Sequence, residues 1–114
     1  AEFVLIEGAG GWHTPLNQHE CYSDWVKSAD LPVILVVGVK LGAINHALLT
    51  QESILKSGLR LAGWVANCVD LDMPYQAENI EYLKVHMNAP CLGVVPFLAD
   101  NVSAADYLSL PSFK

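Results

Sequence analysis

Positive charge is sparse in this sequence. Its 114 residues carry six Lys and Arg against twelve Asp and Glu, a formal net charge of −6. The six cations stand singly at Lys27, Lys40, Lys56, Arg60, Lys84 and Lys114, so no basic stripe exists to neutralise a phosphate backbone. Nucleic acid is therefore not an expected partner. Cysteine is scarce too: Cys21, Cys68 and Cys91 are odd in number and lack CxxC spacing, which argues against a disulfide framework and a zinc knuckle and fits a reducing cytoplasm. Long apolar runs are missing. The longest, Leu31 to Val39, spans nine positions including Pro32 and Gly38, far short of the roughly 20 a membrane helix requires. His13, His19, His46 and His86 show no HxxxH spacing, and no GxSxG elbow occurs, which weakens metal-hydrolase and serine-hydrolase assignments. There is no GxxxxGK[ST] either.

What is present is a hydrophobic set of 53%, enough for one compact core. The chain opens Ala1-Glu2-Phe3-Val4-Leu5-Ile6, without Met and directly in strand-like sequence, so a start cut from something longer is expected. Phe3 to Ile6 predicts a strand stopped by Gly8-Ala9-Gly10-Gly11. Pro32 to Val39 lacks polar alternation, as a central strand covered on both faces does. Between Gly42 and Ser57, Ile44, Ala47, Leu48 and Leu55 follow helical spacing, with Gln51 as the exception and Gly58 as a natural stop. Leu61 to Asn67 predicts a third strand, Pro74 to Met87 a helix with Ile80, Leu83 and Met87 on one face, and Cys91 to Val95 a fourth strand ended by Pro96. Phe97 to Lys114 predicts a loop with a short helix. Trp12, Trp25 and Trp64 are expected as packing anchors. The rhythm of strands and crossover helices makes the class α/β, a mostly parallel sheet flanked by helices, whose ligands bind at the carboxyl ends of the strands.

Those ends carry distinctive residues. Glu7 closes a hydrophobic strand, a position from which a carboxylate holds Mg²⁺ beside a nucleoside triphosphate, and the glycines after it permit close backbone approach to phosphate; a sharp turn beside a capping glutamate explains the segment equally well. Gly42-Ala43-Ile44-Asn45 starts a helix, where free N–H groups and the positive dipole end attract a carboxylate or phosphate, although Gly42 can simply permit the bend. Asn67 offers the donor and acceptor that pair with a purine edge and is also an ordinary turn residue.

Val4-Leu5-Ile6-Glu7-Gly8-Ala9-Gly10-Gly11-Trp12 with Thr14-Pro15-Leu16 resembles a signature of dethiobiotin synthases. Asp24-Trp25-Val26, Leu31 to Gly42 with Ile44-Asn45-His46-Ala47, and Leu61 to Asn67 extend the likeness to about Asp100. The resemblance implies a P-loop NTPase-like fold and a cytoplasmic homodimer. It also implies a reaction in which CO₂ carbamates diaminopelargonic acid, ATP phosphorylates the carbamate and the second amine closes a cyclic urea. By the same resemblance, Glu7 is the Mg²⁺ ligand, and Glu7, Gly8, Ala9 and Gly10 face the ATP phosphates. Asn67, Cys68, Pro96, Phe97 and Leu98 surround adenine, and Gly42, Ala43 and Asn45 receive the substrate carboxylate of the neighbouring subunit.

Two departures accompany the likeness. Cys68 stands where relatives are often polar, and the tail from Val102 does not match. The family's phosphate loop, its catalytic lysine and its strand, which lies between the Val4 and Pro32 strands, are expected upstream of Ala1. Residues 1–114 would then be the C-terminal portion of a single P-loop-type domain, lacking the N-terminal strand and inactive alone. Cobyrinate-type amide synthases and MinD-type ATPases share this architecture but differ at the Glu7 loop and the Gly42 helix start. A non-catalytic flavodoxin-like binding or dimerisation module, in which the glycines are turns and Asn67 is structural, accords with the missing GxxxxGK[ST].

Overall fold

In a computed structural model, residues 4–8, 10–98 and 102–111 are described. They fall into two compact units divided between Leu31 and Pro32.

The second unit is built on a parallel three-stranded sheet in the order β1 (Val33–Val39), β2 (Leu61–Cys68), β3 (Cys91–Val95). Helices α2 (Ala43–Lys56) and α3 (Gln76–His86) make the crossovers. The expected α/β class, both helices and three of the four strands are therefore borne out. The β1 run is not central: β2 occupies the middle, and Val36 of β1 is 59% exposed. An apolar run records what a strand is able to bury, whereas its place in the sheet depends on which neighbours pair with it. The central β2 is buried at every position but Asn67.

Cross-strand pairs Val37↔Ala66 and Val39↔Cys68 are all buried, as are Ile54 of α2 and Leu83 of α3, both fully. The buried stripe of α2 runs Ala43, Ala47, Gln51, Ile54; the expected Leu55 is 39% exposed, one position off that line. Ser57 caps α2, and Gly58 at φ +79° donates its N–H to the Leu55 carbonyl, the expected glycine stop. Trp64 is wholly buried with an indole N–H that has no partner among the described residues. Trp12 is half-buried, but Trp25 is 39% exposed, with its ring 6.0 Å from that of Tyr22.

A second small core joins Val65, Leu92 and Val95 with Ile34, Leu98 and Ala104. Past it, a single 3₁₀ turn (Ala105–Tyr107) lies against β3, and Ser109 donates both its N–H (2.8 Å) and its hydroxyl (3.1 Å) to the Leu92 carbonyl. A Cβ on Gly93 would collide with the Tyr107 carbonyl, so this strap requires glycine there.

In the first unit no strand forms over Val4–Ile6, whose side chains are all exposed; Phe3 lies outside the described residues. A strand exists only when its backbone groups are paired, so apolar composition by itself does not make one. The unit instead contains an unexpected helix, α1 (Tyr22–Ala29), with Ser23 and Val26 buried.

Candidate functional site

Parallel pairing aligns the carboxyl ends of the strands, because Gly38 sits opposite Asn67 and Asn67 opposite Val95. The turns leaving β1, β2 and β3 thus depart from one edge, bringing together Gly42–Asn45, Asn67–Cys68 and Pro96–Leu98.

At the first of these turns Gly42 is the N-cap of α2 at φ +90°, a conformation costly for other residues. A Cβ there would meet nothing within 4 Å, so backbone freedom rather than crowding explains the glycine. No side chain caps α2. The Ala43 N–H bonds Lys40 O at 2.9 Å and the His46 N–H bonds Gly42 O at 3.1 Å. Ala43 is 2% exposed and offers a ligand only backbone, whereas Asn45 is exposed with its amide available at the helix start.

At the second turn Asn67 is half-buried and Cys68 buried; burial pushes the Cys68 thiol above its ordinary value, leaving a neutral, inert sulfur. At the third, Pro96 and Phe97 are exposed, while Leu98 turns back onto the Val65–Leu92–Val95 cluster.

Residues that sequence reasoning passed over share this edge. The segment from Val69 to Tyr75 leaves β2 with Leu71 73% and Tyr75 76% exposed. Tyr75 is left-handed (φ +57°), and its carbonyl accepts both the backbone N–H (3.0 Å) and the side-chain amide (2.8 Å) of Asn79. Asp70, whose carboxylate accepts the Asp72 N–H at 3.0 Å, is a sequence signal that marks this turn.

Glu7, Gly8 and Gly10 belong to the first unit; Ala9 lies outside the described residues. Glu7 is exposed. A Cβ on Gly8 would strike the Tyr22 ring, and one on Gly10 (φ +92°) would lie 2.8 Å from Thr14 Oγ1. The segment is tied to α1, since Ser23 N–H donates to Trp12 O (3.0 Å) and Tyr22 N–H to Thr14 O (2.8 Å). Asp24 accepts the Cys21 N–H at 2.9 Å and the Cys21 thiol at 3.2 Å. Those two bonds, the backbone one foremost, hold its carboxyl below the ordinary carboxylate value.

Among the described residues no three His, Cys, Asp or Glu side chains are grouped to hold a metal unaided. A lone exposed carboxylate such as Glu7 still suits Mg²⁺, which takes one or two carboxylates and completes its shell with phosphate oxygens and water. No helix among the described residues is long and apolar enough to cross a membrane.

The chain is similar to curated proteins named ATP-dependent dethiobiotin synthetase BioD. It is 54% identical over 109 residues to that of Cellvibrio japonicus (96% of this chain, 47% of the relative). It is 56% identical over 105 residues to that of Pseudomonas paraeruginosa (92% and 46%). The protein named BioD 2 of Yersinia pestis is 48% identical over 116 residues (100% and 52%). The chain spans about half the length of these relatives. A sequence model described as an AAA domain matches residues 1–105, in keeping with the parallel sheet and flanking helices of a P-loop NTPase-like α/β fold. By that match the chain belongs to the AAA domain family.

Proposed function

We propose that this chain forms the C-terminal portion of a single P-loop-type domain of a cytoplasmic, homodimeric dethiobiotin synthase, which closes the cyclic urea of dethiobiotin from diaminopelargonic acid and CO₂ at the expense of ATP. The observation that carries this is 54% identity, over 96% of the chain, to a protein named for that activity. The shared carboxyl edge supports it, because one edge offers an uncapped helix start, an amide and an apolar turn.

Each group has a task matched to its chemistry. The α2 start, with Gly42, Ala43 and Asn45, receives the carboxylate of diaminopelargonic acid, since helix N–H groups and the dipole favour an anion there. Asn67 supplies the amide that pairs with the adenine edge, the Cys68 backbone continues that wall, and Pro96, Phe97 and Leu98 form the apolar side against the ring. Glu7 holds Mg²⁺, and the backbone of Gly8, Ala9 and Gly10 faces the phosphates. When bound, Mg²⁺ neutralises phosphate charge as the carbamate is phosphorylated. The phosphate loop and catalytic lysine belong to upstream sequence.

The test compares the 114-residue chain with a version extended upstream to the relatives' length. Ring closure is expected only in the longer protein, and Glu7→Gln there should lower Mg²⁺-dependent turnover by roughly a hundredfold or more. Full turnover in the Gln variant would remove Glu7 from the metal site.

A further inference from the structure

In the first unit, one group of side chains has no task in the proposed reaction. Cys21, half-buried, precedes α1 with Sγ 2.9 Å from Ser23 Oγ, and that hydroxyl lies 2.8 Å from Nδ1 of His13. Ser23 is only 7% exposed, so the buried hydroxyl has the thiol on one side and the imidazole on the other. His13 is exposed, and its Nδ1 is 3.9 Å from the sulfur itself. The thiol hydrogen has two acceptors in reach, Asp24 Oδ2 and Ser23 Oγ; turned to Ser23, and with the imidazole proton on Nε2, it completes a path in which Ser23 accepts from the thiol and donates to Nδ1 of the exposed His13.

We propose that Cys21, seated on the Ser23–His13 pair, is a peroxide-reactive thiol that is oxidised to a sulfenic acid. The sulfur attacks one oxygen of a hydroperoxide; the S–O bond forms as the O–O bond breaks, and sulfur loses two electrons to the peroxide. The thiol proton passes to Ser23 Oγ while the Ser23 proton passes to His13 Nδ1. His13 then protonates the departing alkoxide or hydroxide, which leaves as alcohol or water. Asp24 is the other acceptor beside the thiol, 3.2 Å away, with His13 and then Lys27 acting on it through charge. Its carboxyl is already held below its ordinary value, chiefly by the Cys21 backbone N–H, and so is a poor proton acceptor. His13 is the base that this arrangement leaves for the reaction.

Cys91 is also partly exposed, but among the described residues its thiol hydrogen-bonds the Gly93 carbonyl, at 3.5 Å, and no His or Ser side chain, which makes it an internal reference; Cys68 is buried. The experiment treats the 114-residue chain with a small excess of hydrogen peroxide, traps sulfenic acid with a dimedone-type reagent and maps the adducts by peptide mass spectrometry. Cys21 should be trapped roughly tenfold faster than Cys91. His13→Gln, whose amide keeps a hydrogen bond to Ser23 but takes no proton, should lower the Cys21 rate roughly fivefold and leave Cys91 unchanged. Equal rates at Cys21 and Cys91 in the parent chain overturn the proposal without any variant. So does a Cys21 rate indifferent to His13→Gln in a variant with an unaltered circular dichroism spectrum.

Discussion

Gln51 interrupts the apolar spacing of α2, and its environment explains why a polar residue is tolerated on the buried face. Its side chain is 6% exposed; Oε1 accepts the Asn88 N–H at 2.7 Å and Nε2 donates to the His86 carbonyl at 3.3 Å. One amide thereby satisfies two backbone groups at the end of α3, where the helix has run out of intrahelical partners. An open groove of about 510 Å³, lined by Leu48, Gln51, Glu52, Leu55, Lys56 and Asn88, gives water access to the same spot. Gln51→Leu should therefore cost about 1–2 kcal/mol in urea unfolding, since water partly replaces the lost bonds. No loss at all would mean that the amide does not join the two helices. The spacing of α2 was legible in the sequence, but the partner that makes Gln51 a core residue was not, because it lies 37 positions away.

Among the elements, what sequence revealed and what it hid divide along the range of the interactions involved. Helices α2 and α3 and strands β2 and β3 are marked by local patterns and by Gly58 and Pro96, so they appear nearly where expected. The edge position of β1, and the lack of a strand at Val4–Ile6, turn on pairing that no local pattern records. Of the candidate site, Gly42–Asn45, Asn67–Cys68 and Pro96–Leu98 were readable because a parallel sheet puts every strand's end on one edge. The burial that confines Ala43 and Cys68 to backbone roles was not. Helix α1 escaped notice because it has only 8 residues and starts at a cysteine rather than a Ser, Thr, Asp or Asn. Asp24 takes over that function by accepting the Cys21 N–H, which makes the start of α1 sensitive to acid. A carboxyl lowered in the folded chain from 3.8 contributes stability that is fully present above that value and is lost as the pH falls through the lower folded value. Asp24→Asn imitates the protonated carboxyl. Its melting temperature should fall below that of the parent chain at pH 7, and the gap should close as the pH drops beneath 3.8. A gap of constant size from pH 7 downward would show that the charge on Asp24 is immaterial.

At the scale of the whole molecule, the two outer strands of the sheet are finished differently. The Leu92 carbonyl of β3 is occupied by Ser109, and the tail covers Gly93. The outer side of β1 meets no strand among the described residues, and beside it Val36 is 59% exposed. Elsewhere Val4 (84%), Leu5 (77%) and Ile6 (51%) present a second apolar segment to solvent. Unpaired N–H and C=O groups along an apolar strand form a template for another chain, and proteins ordinarily cover, pair or charge such an edge. The 114-residue chain by itself should therefore self-associate, with a weight-average mass by light scattering that climbs steadily across a concentration series. Val36→Lys should flatten that climb, because a cation at the edge opposes strand addition. If the proposed function holds, a version at the relatives' length should settle at one dimeric mass, with the β1 edge paired by a strand of the added sequence. If the short chain instead remained a monomer of constant mass over the whole series, the β1 edge would have to be closed by its own residues, and the need for an upstream strand would disappear.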